Sequence, residues 1–453
     1  MNKKILSFSI PLILIGIITG SLYLFVFHKT FTPETPQKQN NLKIGVIMPS
    51  SWFSFVDNST IDYPQHIKDT FFQTLTAAGL NSQNIYIESA TTLGDQAEKV
   101  KIFSKNSVQA IIISPVMDEN VLPDLLGLTI PNPYAMGKDT SFEQQELKIS
   151  LNEAQKSGIK LIGWQNYIAG IKYDLFIQSP TAKLMGQKTG EWINQYNETN
   201  NSDSANNMDK NNKQNNSTNL KKTMEIILPE ITENNYSKDF FSGFYDTVKT
   251  KIKNNLYFSI DNKLNPNTLP DQFSQFCLKR NNGKPITTAA DEQSEAYKYM
   301  TKILVNQYKL NTLYNFNPEK RPDIIISGSD QIAQGVINAL KDKGFAPSYD
   351  SSRWPTIIGV GGLKTSIWNI SNSFQSMTIV YDSNLLVKNT TEAIKNMLTN
   401  PQEIEKQLKL YSHLDINGFQ TAVISTDPIA IDKTNEKSEL LDKGYITPGE
   451  AGL

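Results

Sequence analysis

The stretch Asp323–Phe345, DIIISGSDQIAQGVINALKDKGF, constrains the fold more than any other part of the chain. Ile324, Ile325 and Ile326 form a short unbroken apolar run, the pattern of a strand buried on both faces. A polar turn follows, and Asp330 stands where a helix N-cap is expected, because a carboxylate there can accept from free N–H groups of the first turn. Ile332, Val336, Ala339 and Leu340 then repeat at helical spacing, and Gly344 supplies the stop. This is a strand–loop–helix unit of a parallel sheet. Its loop lies at the carboxyl end of the strand, where open α/β sheets bind ligands.

The same unit recurs on both sides. The first run contains strands at Leu42–Met48, Ile85–Ser89, Val108–Ser114 and Ile159–Trp164, with helices at Pro64–Ala78, Gln96–Lys105, Val121–Leu126 and Glu146–Lys156. The second contains strands at Leu175–Gln178, Met224–Leu228, Leu256–Ile260, Thr356–Val360 and Met377–Tyr381, again alternating with helices. Alternation of this kind specifies parallel sheets with right-handed crossovers. The pattern therefore predicts two doubly wound parallel-sheet lobes. Gly127–Ser141 interrupts it and reads as a surface loop, and the polar, asparagine-dominated segment 197–220 reads as a disordered insertion.

The amino terminus bears on the compartment. Lys3 and Lys4 precede an uncharged run from Ile5 to Phe27, long enough to cross a bilayer. The basic end stays inside, so residues 1–29 are expected to be an uncleaved signal anchor holding the rest on the outer face of the cytoplasmic membrane. The competing reading is a cleaved signal peptide, against which stand the length of the run and the lack of an A-x-A site. Residues 30–41, polar and with two prolines, read as a tether.

Chemistry is narrowed by what is scarce. Cys277 is the only cysteine and His28, His66 and His413 the only histidines, so no intramolecular disulfide and no common zinc arrangement is expected. A formal net charge of −1 gives no reason to expect a nucleic-acid partner. No G-x-S-x-G elbow, Walker loop or G-x-G-x-x-G after the first strand is found, so neither an enzyme nor a cofactor is expected.

Several motifs, in order, resemble one family. KIGVIMP followed by LTAAGL, VQAIIISPV followed by AQKSGIKLIGW, Asn234-Asn235 after the strand EIILPE, the DIIISGSD unit, Gln375-Ser376-Met377-Thr378, and a tail with Asn417-Gly418, Pro428, Asn435 and Gly444-Tyr445 are similar to the extracytoplasmic sugar-binding proteins of ABC transporters. The resemblance is to the type I periplasmic-binding-protein fold, xylose/multiple-monosaccharide branch, and runs from Leu42 to about Tyr445. It implies a first lobe of 42–164 plus 378–411, a second of 165–377 plus 412–453, and three crossings forming a hinge. It also implies capture of a small sugar or polyol and delivery to an ABC permease. A sensor subunit for a membrane signalling partner and a degenerate, surface-structural protein are the alternatives.

Carried over by position, the resemblance places Gln165, Asn166, Asn234, Asn235 and Ser329 against the ligand, with Asp330 beside them and Trp52 stacked on one face. Each has a plainer reading. Gln165 and Asn166 are equally polar hinge residues, Asn235 a helix cap, Asp330 a cap, and Trp52 a packed loop aromatic. The chain also departs from the family pattern. Gly361-Gly362 stand in place of a Gln-Asp pair, Tyr381-Asp382 where a lysine is expected, and Ala289-Ala290 where an aromatic is expected. A neutral ligand, held more weakly than is usual in the family, is the expectation.

Overall fold

The computed structural model describes residues 41–50, 63–116, 142–206 without 169, 221–229, 236–259, 270–279, 289–308, 322–347 and 354–453 without 410 and 417, together with positions 261, 263–265, 267, 268 and 286. The anchor at Ile5–Phe27, the helix expected at Val121–Leu126 and the loop expected at Gly127–Ser141 lie outside the described residues. Among the described residues no helix is long and apolar enough to cross a membrane.

The described residues form two sheets. In chain order the first half contributes β1 (Ile44–Pro49), α1 (Tyr63–Ala77), β2 (Ile85–Ala90), α2 (Leu93–Lys105), β3 (Ala110–Ile113), α3 (Phe142–Lys156), β4 (Lys160–Trp164) and β5 (Leu175–Ile177). The second contributes α4 (Ala182–Asn206), β6 (Lys222–Ile227), α5 (Tyr236–Lys253), β7 (Tyr257–Phe258), α6 (Ala289–Asn306), β8 (Ile324–Ser327), α7 (Asp330–Asp342), β9 (Thr356–Val360), α8 (Lys364–Ser371) and β10 (Met377–Tyr381). The chain ends with α9 (Ser383–Thr399), α10 (Pro401–Leu408), β11 (Ser412–Ile416), β12 (Phe419–Ile424), β13 (Pro428–Asp432) and the short α11 (Pro448–Ala451).

The strand orders are β11-β12-β5-β4-β3-β1-β2 and β13-β10-β9-β8-β6-β7. Without the late-added edge strands, both lobes follow one doubly wound order, with its switch point between β1 and β3 or between β6 and β8. Isoleucine runs are buried on both faces as the sequence predicts. Ile324 and Ile326 pack with Phe240 and Phe244, while Ile325 packs on the opposite face with Val336 and Leu340.

Hydrogen bonding corrects the expected partition. β5, β11 and β12, assigned to the second lobe, pair within the first sheet, whereas β10 pairs within the second. The helix α9 after β10 packs on the first lobe, with Leu386, Val387 and Ile394 against Phe71 and Ile44. Crossings therefore fall at 178–181, 381–383 and 425–427 rather than at the expected 164–165, 377–378 and 411–412. A three-residue strand such as Leu175–Ile177 carries no local sign of the sheet it will join.

A second correction concerns 197–220. Helix α4 continues to Asn206, and only 207–220 lie outside the described residues. Asn197 is buried, its Nδ2 donating to the Tyr257 hydroxyl at 2.9 Å and its Oδ1 accepting from Lys222 Nζ at 2.7 Å. Two long-range partners there outweigh the local composition.

A third concerns the cap of α7. Ser329, not Asp330, is the N-cap, its Oγ accepting from Ile332 N at 3.1 Å. Asp330 turns inward and is fully buried. Its carboxylate accepts from Leu363 N, Gln375 Nε2 and the Thr378 hydroxyl, each at 2.9 Å. Gly344 does close the helix, at φ +84°.

Candidate functional site between the sheet edges

All three crossings leave or enter at the carboxyl edges of the strands. β5 and β12 run parallel and end at one edge of the first sheet, β10 ends at the corresponding edge of the second, and β13, antiparallel to β10, begins there. Short connections between those edges bring them face to face, the position where wound sheets take ligands.

Among the described residues, several polar groups buried at these edges have no hydrogen-bond partner. On the first lobe they are Ser114 Oγ after β3, Gln165 Nε2 after β4, Ser179 Oγ after β5 and Thr426 Oγ1 after β12. On the second they are Ser327 Oγ at the end of β8, Gln331 Oε1 in the first turn of α7 and Glu292 Oε1 in the first turn of α6. A buried unpaired donor or acceptor costs roughly 1–3 kcal/mol; others lie elsewhere among the described residues, at Trp164, Thr301, Gln307, Gln375, Thr391 and Thr421, but those named above share the carboxyl edges of the strands.

The backbone around them is held firmly. Gln96 Nε2 donates to Ser114 O at 2.7 Å and Gln96 Oε1 accepts from Val116 N at 2.9 Å, pinning the turn after β3. Gln165 adopts φ +62°, unusual for a residue with a side chain, and its Oε1 accepts from Ser179 N at 3.0 Å. Its amide thus ties the ends of β4 and β5 together while its NH₂ is left over. Ser329 Oγ, besides capping α7, donates to Glu292 Oε2 at 2.6 Å. Burial pushes the Glu292 carboxyl up to about 7, partly opposed by that hydrogen bond. Among the described residues no group of three or more His, Cys, Asp or Glu could hold a metal.

At the hinge end the edges enclose a cavity of about 170 Å³. Gly361 and Gly362 form one wall at φ +135° and +68°, and a Cβ on Gly362 would lie 2.4 Å from Val380 Cγ1. Asp382 is among the residues that line it. It caps α9 by accepting from Leu385 N at 2.8 Å, and it accepts from Tyr445 OH at 2.5 Å and Lys443 Nζ at 3.2 Å. Burial opposes its ionisation, yet these donors hold its carboxyl below the usual range. His66 of α1 faces Tyr445, ring centroids 5.9 Å apart, with Nε2 3.0 Å from Asn384 Oδ1.

Of the residues singled out in the sequence, Trp52, Asn234 and Asn235 lie outside the described residues. Gln165 and Asn166 stand at the first-lobe edge, and Ser329 at the second. Asp330 is consumed inside the second lobe. Ser179, Thr426 and Glu292 were not singled out. Ser179 immediately precedes a proline that follows a strand, in QSP, and Thr426 stands two residues before one, in STDP, which is a usable sign of a crossing.

Comparison with known proteins gives the fold. No protein-family model matches the chain. A solute-binding protein of an ABC transporter from Clostridium phytofermentans, with bound β-D-glucose, superposes with a TM-score of 0.52 at 17% identity over 90% of this chain and 99% of its own. A carbohydrate-transporter solute-binding protein from Chloroflexus aurantiacus, in complex with D-glucose, gives 0.51 at 13% identity over 90% and 98%. The chain thus has the two-lobed fold of these solute-binding proteins, the type I periplasmic-binding-protein fold. By sequence, the multiple sugar-binding periplasmic protein SbpA of Azospirillum brasilense is 28% identical over 141 residues. That match spans 31% of this chain and 38% of the relative's length. The proteins it resembles are solute-binding proteins, not enzymes.

Proposed function

We propose that the chain is an extracytoplasmic solute receptor that captures a small neutral sugar or polyol between its lobes and delivers it to an ABC permease. The observation carrying this reading is the set of buried, unpaired hydroxyl and amide groups on the two facing edges, Gln165, Ser179 and Thr426 against Ser327 and Gln331. A polyhydroxylated ligand supplies donors and acceptors to such groups at once. Neutrality follows because a charged ligand would need a counter-charge. Glu292, the one carboxyl in the set, is pushed toward its neutral form. The structures with bound glucose support the sugar class, and the partial relative supports sugar binding.

Attachment through Ile5–Phe27 is part of the proposal, resting on the length of that run and on Lys3 and Lys4. Sequencing the amino terminus of the native protein tests it. A mature chain that starts beyond Phe27 refutes the anchor.

Binding is tested by melting the full-length protein with monosaccharides, polyols and nucleosides, since a ligand of the folded form raises the melting temperature. For the compound that does so, Ser179→Ala should weaken affinity by about 1–3 kcal/mol, the penalty of unpairing a desolvated partner. The unliganded protein should be as stable or more stable, because the variant removes a buried hydroxyl that has no partner. Unchanged affinity in Ser179→Ala, or no response to any compound, overturns the reading.

A further inference from the structure

Glu292 is the one ionisable side chain among the unpaired groups on the facing edges, and its surroundings fix both its place and its form. It lies in the first turn of α6, which sits directly on α7 where Gly335 leaves room; a Cβ on Gly335 would stand 2.3 Å from Gln293 O. The loop after β8 is pinned as well. Gly328 N donates to Ile227 O at 2.8 Å, and Gly328 O accepts from the Tyr236 hydroxyl at 3.0 Å. Ser329 is held by that loop, and its Oγ donates to Glu292 Oε2. Oε1 is left buried with no partner.

A buried carboxylate needs a counter-charge or several donors, and this one has a single hydroxyl. Charges on the elements packed against it are engaged elsewhere. Asp330 of α7 is clamped by its own donors, Glu225 of β6 accepts from Tyr308, and Glu295 of α6 accepts from Lys298. Asp291, half-buried in the same turn, brings no positive charge. Geometry alone therefore favours the neutral acid, and burial holds its ionisation up at about 7. Because Oε2 accepts from Ser329, the acid's own proton belongs on Oε1, the atom without a partner.

We propose that Glu292, as a neutral carboxylic acid, is the hydrogen-bond donor by which the second lobe recognises its ligand, and that capture is strongest where the acid keeps its proton. This role rests on the sugar reading above and narrows it. The ligand turns an acceptor, a ring or hydroxyl oxygen, toward Glu292 Oε1, and another toward the spare NH₂ of Gln165 on the first lobe. Gln331 Oε1 can only accept, so a ligand O–H faces it. Ionisation of Glu292 removes the donor and sets a negative charge against the ligand's lone pairs. By reciprocity, a ligand that prefers the acid raises the pH at which it ionises, and binding above that range takes up a proton.

The probe is the monosaccharide or polyol that most raises the melting temperature, with D-glucose, D-xylose and myo-inositol among those screened. It is titrated calorimetrically into the full-length protein at about pH 6 and about pH 8, and affinity should fall about tenfold between them, as the protonated fraction of a group titrating near 7 does. At the higher pH, binding should take up roughly one proton, read by repeating the titration in buffers of different ionisation enthalpy. Glu292→Gln keeps a neutral donor at every pH, so it should bind equally at both, without proton uptake. A flat profile in the parent, or affinity that rises with pH, overturns the proposal. So does a Glu292→Gln protein that keeps the parent's pH dependence, which would then belong to another group such as Glu225, also titrating at about 7. If Glu292→Gln does not fold, proton uptake by the parent decides. No response to any screened compound overturns the sugar reading and this role with it, whereas a compound that binds with a flat profile overturns this role alone.

Discussion

Replacing Asp330 with alanine separates two accounts of this residue that the sequence alone leaves open. As a helix cap it would contribute about 1 kcal/mol, and asparagine would replace it almost freely. As the structure has it, the carboxylate accepts from a backbone N–H, Leu363, and a side-chain amide, Gln375, while the Thr378 hydroxyl reaches both oxygens. All of these are buried or nearly so. The threonine hydroxyl can rotate to another acceptor, but the Leu363 N–H is left with none and the Gln375 amide keeps only its bond to Met377 O, at 3.1 Å. At roughly 1–3 kcal/mol for each buried unpaired donor, Asp330→Ala should destabilise the second lobe by about 2–6 kcal/mol. That is a large share of the roughly 5–15 kcal/mol by which a folded domain is stable. Urea unfolding followed by tryptophan emission is the assay, because Trp192, Trp354 and Trp368 all report on the second lobe. A loss near 1 kcal/mol, or an Asp330→Asn variant indistinguishable from the parent, refutes the clamp and restores the cap.

Asn197→Ala should cost about 1–3 kcal/mol in the same assay, since it removes a buried amide that bonds both Lys222 Nζ and the Tyr257 hydroxyl, which keeps only a long 3.4 Å bond to Asn194 Oδ1. A cost near zero would mean that α4 ends before it. Glu292 and Glu225, both pushed up to about 7 chiefly by burial, hold a proton when folded over a range where the unfolded chain has released it. The sign follows. Their contribution is present in full below the ordinary carboxyl range near 4.5 and is lost as pH rises through about 7, at up to roughly 1.4 kcal/mol per pH unit for each group. Glu292→Gln should flatten its part of that decline in denaturation curves taken at several pH values, and an unaltered pH profile would remove it from the account.

The local pattern was enough for the repeating units. Alternate burial of Ile324, Ile325 and Ile326 is written into a run of three isoleucines, and Gly344 into the need for a left-handed residue. What failed was settled at a distance. Ser329 and Asp330 are both good caps in isolation, and only Gln375 and Thr378, far along the chain, draw the carboxylate inward. The asparagines after Gln195 look unable to order themselves, yet Asn197 meets Tyr257 and Lys222, neither of which is near in sequence. The crossings were misplaced because Leu175–Ile177 and Phe419–Ile424 could join either sheet on their own merits. The candidate site was hardest to read. Ser179 and Thr426 are ordinary residue types, and being buried without a partner is a property of packing rather than of composition.

Elsewhere in the described residues some buried polar side chains are well supplied, while Thr301, Gln307, Thr391 and Thr421 also have an unpaired atom. Gln96 pins a turn, Asp330 clamps a lobe, and Asn197 joins a helix to a strand and a lysine. Under the proposed function, the unpaired groups on the two facing edges are a local destabilisation that ligand reverses. Each pairing then contributes to lobe closure instead of to folding. The glycines at 361 and 362 set the character of that exchange. With φ +68° and Val380 against it, position 362 has no room for the carboxylate that the resemblance places there. Recognition in the proposed site is left to amides, hydroxyls and the largely neutral Glu292. Neutral hydrogen bonds are about half as strong as charge-assisted ones, so under the proposed function ligand should bind weakly and leave readily.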